Sequence, residues 1–200
     1  MKYGGSEEKA LKAMTEKEER KRFLEDYEIE REKAEKELRF SFEELEKKAE
    51  ALSEVRQKVG KELEKLIQKE MQDMGFLDTQ FAFQFQKKKE ITEKGFDEVE
   101  CFVSLNPGEP LRALREVGSG GELSRIMLSI KTVLADTDAV PTLIFDEIDT
   151  GISGRTAEKV GEKLQKIAAK HQVILITHLP QIAAKADRHF LIEKNVVDGK

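Results

Sequence analysis

The sequence predicts an α/β protein, a parallel sheet with flanking helices preceded by a long coiled-coil helix. Three observations carry that expectation. Between Ser6 and Met71 more than half of the residues are Lys, Arg, Asp or Glu, proline is absent and Gly60 is the only glycine. Beyond Gly75 the apolar spacing changes from helical to alternating, and beyond Ser119 helix-like and strand-like segments take turns. Composition agrees with so uneven a chain: charged and hydrophobic residues each make up 38% of 200 residues, and tryptophan is absent. A uniformly globular chain would be short of core-forming side chains.

The charged stretch has a face to bury. Leu38, Phe42, Leu45, Ala49, Leu52, Arg56, Val59, Leu63 and Leu66 alternate steps of four and three, a heptad seam. Leu24, Tyr27, Arg31, Ala34 and Leu38 keep the alternation in a shifted frame, as a stutter near Leu38 produces. At about 1.5 Å per residue such a helix would reach roughly 100 Å. So narrow a seam needs a second helix against it. Lys2-Tyr3-Gly4-Gly5-Ser6 reads as a turn and an N-cap, so the chain is expected to start at the tip of a hairpin whose ascending arm lies elsewhere. A self-contained homodimeric coil is the alternative. The expected division is a coiled-coil arm over 1–72 and an α/β lobe over 73–200.

Phe81, Phe83 and Phe85, then Val99, Cys101, Val103 and Leu105, alternate with intervening residues and predict an antiparallel strand pair. Lys87-Lys88-Lys89 falls in the polar interval Lys87 to Gly95, a turn where it could touch phosphate but which a solvated loop explains at least as well, and Asn106-Pro107-Gly108-Glu109-Pro110 forces a loop. From Ser119 the predicted order is a helix to about Leu134, strand Thr142 to Phe145, a helix near Arg155 to Lys170, strand Val173 to Thr177, a short helix near Gln181 to Ala186, and strand Phe190 to Ile192. The two central strands are continuous apolar runs, which implies burial on both faces.

With a formal net charge of −5, broad electrostatic capture of nucleic acid or anionic membrane is not the default. The single cysteine, Cys101, excludes an internal disulfide and a cysteine-built zinc site, and its apolar setting predicts a packed thiol. No stretch approaches the roughly 20 apolar residues that span a bilayer, and Met1 to Ala13 lacks the apolar core of a secretory signal. A soluble cytoplasmic protein without membrane partners is expected.

Strand Thr142 to Phe145 ends in Asp146-Glu147. In a parallel sheet the carboxyl edge is where ligands bind, and successive side chains leave a strand in opposite directions. Asp146 could therefore hold Mg²⁺ while Glu147 faces an attacking water. Capping a helix or starting a loop is the bland reading of the same pair. The next strand leads to His178, which should stand near Glu147, because parallel neighbours end at one edge. His171 and His189 have ordinary explanations in a helix dipole and a strand edge. Ser119-Gly120-Gly121-Glu122 has the form of a capping box. The same atoms could hold an anion, and a cap does not explain both glycines. No Gly-x-x-x-x-Gly-Lys-Ser/Thr loop occurs, and Gly60-Lys61 lies inside the charged helix.

Taken in order, these motifs resemble those of ABC-type and SMC-like P-loop ATPases. Ser119-Gly120-Gly121-Glu122-Leu123-Ser124-Arg125 is similar to the signature motif, Ile144-Phe145-Asp146-Glu147-Ile148-Asp149 to Walker B, and Ile176-Thr177-His178 to the switch-histidine segment. Asn106 to Pro110, Phe145 to Thr156 and Thr177 to Ala183 resemble the RecN branch, a family of bacterial DNA repair proteins, and the charged helix fits that family's descending arm.

The resemblance implies the C-terminal lobe of an ATPase head, with the Walker A loop and a glutamine-bearing lid upstream and final strands and helix beyond Lys200. It implies that Asp146 serves Mg²⁺, Glu147 polarises water and His178 contacts the γ-phosphate. Ser119, Gly120, Gly121 and Glu122 would close over ATP held by a second head. The implied partners are the missing N-terminal half, a second head and DNA, in double-strand break repair on the nucleoid. Ser153 stands where ABC proteins usually carry aspartate, so the usual contact between heads at that loop is not implied here. The rival readings are a coiled-coil interaction module with a degenerate head, and a helicase-like motor, in which the signature serine and glycines have no place.

Overall fold

The computed structural model describes residues 6–193. In chain order it contains helix α1 (Glu7–Asp73), strands β1 (Gln80–Thr92), β2 (Gly95–Ser104) and β3 (Arg112–Ala113), a 3-10 turn at Leu114–Glu116, α2 (Gly120–Leu134), β4 (Thr142–Phe145), α3 (Gly154–Ala168), β5 (Gln172–Leu175) and α4 (Pro180–Ala183). The architecture is the expected α/β class, with a long N-terminal helix, an antiparallel sheet and a parallel pair flanked by helices. The opening Lys2 to Gly5 turn and the chain beyond Glu193 lie outside the described residues.

The chain forms two compact units: α1 up to Ser53 with Lys89–Phe96, and Glu54–Lys88 with Asp97 onward. The last turns of α1, from Glu54 on, group with the α/β elements.

In the first unit Ser6 starts the helix as a cap, its hydroxyl accepting the Lys9 amide at 3.4 Å. Lys21–Glu25 (3.8 Å) and Arg31–Glu35 (3.2 Å) form i,i+4 pairs along the surface. Leu24, Tyr27, Leu38, Phe42, Leu45 and Leu52 of the heptad pattern are exposed, while Ala49 is buried. At the hairpin tip the Thr92 hydroxyl donates to Gly95 O (2.8 Å), and Gly95 takes φ +81°, which only glycine adopts without strain. The two-residue connection can only join antiparallel strands. The polar interval is thus shorter than predicted: Lys87, Lys88 and Lys89 belong to β1 rather than to a turn, and Ile91 and Thr92 carry the strand onward.

In the second unit the end of α1 docks on the sheet β1-β2-β3. Gly60 permits this approach, since a Cβ there would sit 3.1 Å from the Phe85 ring. β1 is an edge strand, and α1 side chains serve its backbone: Glu64 accepts the Phe83 amide (2.7 Å) and Gln68 donates to Phe81 O (3.0 Å). Arg56 pairs with the buried Asp97 carboxylate at 2.9 Å. Cys101 is half-buried with a free thiol, and burial, then Glu100, push its pKa up, so it is a packed side chain.

Ile67, Met71, Phe81, Ile126, Leu143 and Phe145 belong to one core that joins α1, both sheets and α2. Lys163 on α3 ties that helix to α1 through Glu70 and, at 2.9 Å, Asp73. Burial works against the Lys163 charge, but the two carboxylates outweigh it and raise its pKa. His171 is buried after α3, its ring nitrogens on Val140 O (2.8 Å) and Ala135 O (3.3 Å), a structural role.

β4 and β5 pair in parallel from Thr142↔Gln172 to Phe145↔Leu175. Leu143 and Phe145 are buried, but Ile144 is 68% and Ile174 46% exposed, so only one face of the pair is covered. The expectation of burial on both faces is corrected accordingly. Phe190–Ile192 forms no strand among the described residues, and Phe190 is 89% exposed.

Candidate functional site

Both parallel strands end at one edge. The Ile176 amide still donates to Phe145 O at 3.1 Å, so the chain leaves β4 at Asp146 and β5 at Ile176 side by side. Asp146 and Glu147 are exposed there, as is His178. β5 stops at Leu175, short of the predicted Thr177, because Thr177 and His178 turn off the strand toward a carboxylate.

That carboxylate is Asp149, which is buried. Its Oδ2 accepts the Thr177 hydroxyl at 2.5 Å and the His178 amide at 2.8 Å, and lies 3.0 Å from His178 Nδ1. Burial alone would raise the Asp149 pKa, but the hydroxyl, the amide and the imidazole together hold it below the ordinary carboxylate value. His178 thus has Asp149 as its partner at this edge. Sequence reasoning assigned Asp149 no role; the available signal was a second acid three residues after Asp146 in a strand-end loop.

Glu147 has a backbone conformation that non-glycine residues rarely adopt, φ +57°. Its amide donates to Asp146 Oδ1 at 2.8 Å, and its carboxylate lies against the start of α2. The charge there complements the positive end of the helix. A Cβ at Gly120 would come 2.2 Å from Glu147 Oε2, and one at Gly121 would come 2.9 Å from both Glu147 O and Thr150 Cβ. Ser119 caps α2, its hydroxyl accepting the Glu122 amide at 3.4 Å. The cap is therefore present, and the two glycines have a reason of their own, the close approach of the loop after β4.

α2 grips that loop at two further points. The Ser124 hydroxyl donates to Asp146 O at 2.8 Å. The buried Arg125 guanidinium donates through Nη1 to Ile148 O (3.3 Å) and Thr150 O (2.7 Å), and stacks 5.3 Å from the Phe76 ring centre. Burial pushes the Arg125 pKa down against the pull of Glu122. Ser153 precedes α3 in the N-cap position without a side-chain capping bond.

Among the described residues no cluster of three or more His, Cys, Asp or Glu could hold a metal. An exposed carboxylate at a sheet edge still suits Mg²⁺, which takes one or two protein carboxylates and completes its shell with water and phosphate oxygens. Asp146 is that carboxylate. No phosphate-cradling loop occurs in the sequence, so the residues present fit the metal and terminal-phosphate side of a nucleotide site and not its triphosphate cradle.

The fold and this edge define an α/β domain with exposed polar side chains at the carboxyl end of a parallel strand pair. The chain is similar to the DNA repair protein RecN of Halalkalibacterium halodurans, 42% identical over 160 residues (78% of this chain, 28% of that protein). It is 40% identical over 164 residues to that of Bacillus subtilis (74% and 28%) and 45% identical over 150 residues to that of Treponema pallidum (72% and 26%). Over the stretch it shares with them, the chain belongs to the RecN family, and it spans about a quarter of the length of these relatives. No protein-family model matches the chain.

Among solved structures it is similar to an SMC head bound to the C-winged helix domain of ScpA (16% identity, TM-score 0.47, 68% of this chain and 40% of that one). It is also similar to the Smc head domain with a coiled coil and joint derived from Pyrococcus yayanosii (20%, 0.47, 62% and 23%). These likenesses are too slight to add to the sequence match. No helix among the described residues is long and apolar enough to cross a membrane.

Proposed function

We propose that this chain is the C-terminal portion of a RecN-type, SMC-like ATPase acting in DNA double-strand break repair, with 1–72 as its descending arm and 73–200 as the lobe of its head. In this reading Asp146 serves Mg²⁺, Glu147 is the general base that polarises the attacking water, and His178 faces the γ-phosphate. Ser119, Gly120, Gly121 and Glu122 close over ATP held by a second head. The Mg²⁺ ion, when bound, supplies charge neutralisation on the phosphate oxygens. The partners are the N-terminal half with its ascending arm, a second copy of the head, and DNA, in the cytoplasm at the nucleoid.

The observation that carries the proposal is the register Phe145↔Leu175, continued by Ile176 N to Phe145 O. It sends the acidic pair and the histidine out of one sheet edge, where a reacting phosphate would meet all three. The bare face of β4 and β5 fits a lobe completed by further chain, since Ile144, Ile174 and Ile176 need cover.

A second reading, a non-catalytic coiled-coil module with a degenerate head, draws on one observation: the cap and the packing of Gly120 and Gly121 explain the signature segment without any ligand. One experiment separates the two. The chain is co-expressed with a RecN N-terminal half carrying its Walker A loop, and ATP turnover and head association are measured. The ATPase reading expects turnover by the pair and none by this chain alone. Glu147→Gln should abolish turnover and leave ATP-stabilised dimers. Turnover retained in that variant removes Glu147 from its role, and association indifferent to ATP and Mg²⁺ favours the module.

A further inference from the structure

We infer that Asp149 is a positioning residue for His178, holding its ring with Nδ1 protonated and Nε2 as the only nitrogen turned outward. The inference deepens the proposed hydrolytic site, on which its functional meaning rests. Its geometry stands by itself.

Asp149 is 4% exposed, and one of its oxygens accepts the Thr177 hydroxyl and the His178 amide and lies 3.0 Å from His178 Nδ1. An ionised carboxylate only accepts, so the nitrogen 3.0 Å away must carry the hydrogen. The amide bond fixes the backbone of the same residue whose ring it orients, so both ends of the side chain are held. Thr177 Oγ1 in turn accepts the Leu179 amide at 3.1 Å, which closes the turn beneath the ring. From the other side, Arg125 holds the carbonyls of Ile148 and Thr150, the two neighbours of Asp149 in the chain. The carboxylate is therefore fixed by backbone on both flanks, and the imidazole, 74% exposed, projects from it.

The consequence is chemical. With Nδ1–H committed to Asp149, a neutral His178 presents a lone pair at Nε2 and can only accept a hydrogen bond, as from a water. It donates to a phosphate oxygen through Nε2 only as the imidazolium. A ring free of Asp149 would present Nε2–H in its intrinsically preferred neutral form and could donate without any charge.

The test reads the tautomer directly in this chain, without nucleotide. Ring nitrogens are observed by long-range proton–nitrogen correlation at a pH where the imidazole is neutral, with His178→Gln to assign its signals among the three histidines. The expected result is an N–H type frequency at Nδ1 and an unprotonated frequency at Nε2. Asp149→Ala should reverse the two, and Thr177→Val, which keeps the carboxylate, should not. If Asp149→Ala fails to fold, the near-isosteric Asp149→Leu, which offers no acceptor, serves, with the expected loss of the Nδ1–H preference. Nε2–H in the parent chain, or an Asp149 variant that keeps Nδ1–H, overturns the inference. Because the readout needs no ATP, a failure of the hydrolytic reading and a failure of this one are separately visible.

Discussion

The two glycines at the start of α2 are predicted to respond unequally to alanine. A methyl on Gly121 would lie 2.9 Å from Glu147 O, 2.9 Å from Thr150 Cβ and 3.2 Å from Thr150 O. These are backbone and Cβ atoms in a loop whose carbonyls Arg125 holds, so no side-chain rotation relieves the clash. Overpacking of this kind costs about 1–3 kcal/mol, and replacing glycine in a helix returns at most about 1 kcal/mol. The net expectation is a loss of about 1–2 kcal/mol. At Gly120 the methyl meets only the end of the Glu147 side chain, Oε2 at 2.2 Å and Cδ at 3.3 Å. That carboxylate is exposed and can swing aside, so stability should stay within about 0.5 kcal/mol of the parent. Hydrogen exchange at the Ile176 and Gln172 amides, bonded to Phe145 O and Pro141 O, reads the stability of the parallel pair without the signal of α1. Gly121→Ala should speed that exchange roughly 5- to 30-fold, with Gly120→Ala close to the parent. Equal effects, or a larger one at Gly120, would refute the account of why both glycines are present.

Ser119→Ala should cost about 0.5–1 kcal/mol by the same exchange measurement, the low side for a cap, since its bond to the Glu122 amide is long at 3.4 Å and exposed. Lys163→Met should destabilise the α/β unit by about 2 kcal/mol in urea unfolding, because it leaves Glu70 unpaired in a largely buried setting; an unchanged midpoint would show the pair to be inert. The Asp149 pKa is depressed in the folded chain, so its stabilisation is complete above the ordinary value of 3.8 and is lost as pH falls through the lower, folded value. Unfolding midpoints measured below about pH 4 should therefore drop less steeply in Asp149→Asn than in the parent.

Much of this protein is legible without coordinates because its signals are local. The heptad steps from Leu38 to Leu66 require a helix, the alternation at Phe81 to Phe85 requires a strand, and Ser119 with Glu122 marks a helix start; each depends on neighbours within one or two turns. The strand that ends in Asp146-Glu147, and its likeness to a known motif, is equally readable. What the sequence could not give were distances between segments far apart along the chain. That Asp149 receives the His178 amide depends on the turn taken by the chain after Leu175, and that Gly120 and Gly121 yield space to Glu147 and Thr150 depends on α2 lying against the loop after β4. Phe190 to Ile192 failed as a strand for the same reason: an apolar triplet becomes a strand only when another strand offers its backbone bonds. Periodicity and residue chemistry by themselves determined the elements and the candidate side chains. Only tertiary packing decided which of those side chains touch, because hydrogen bonds and close contacts depend on separation in space and not on separation in sequence.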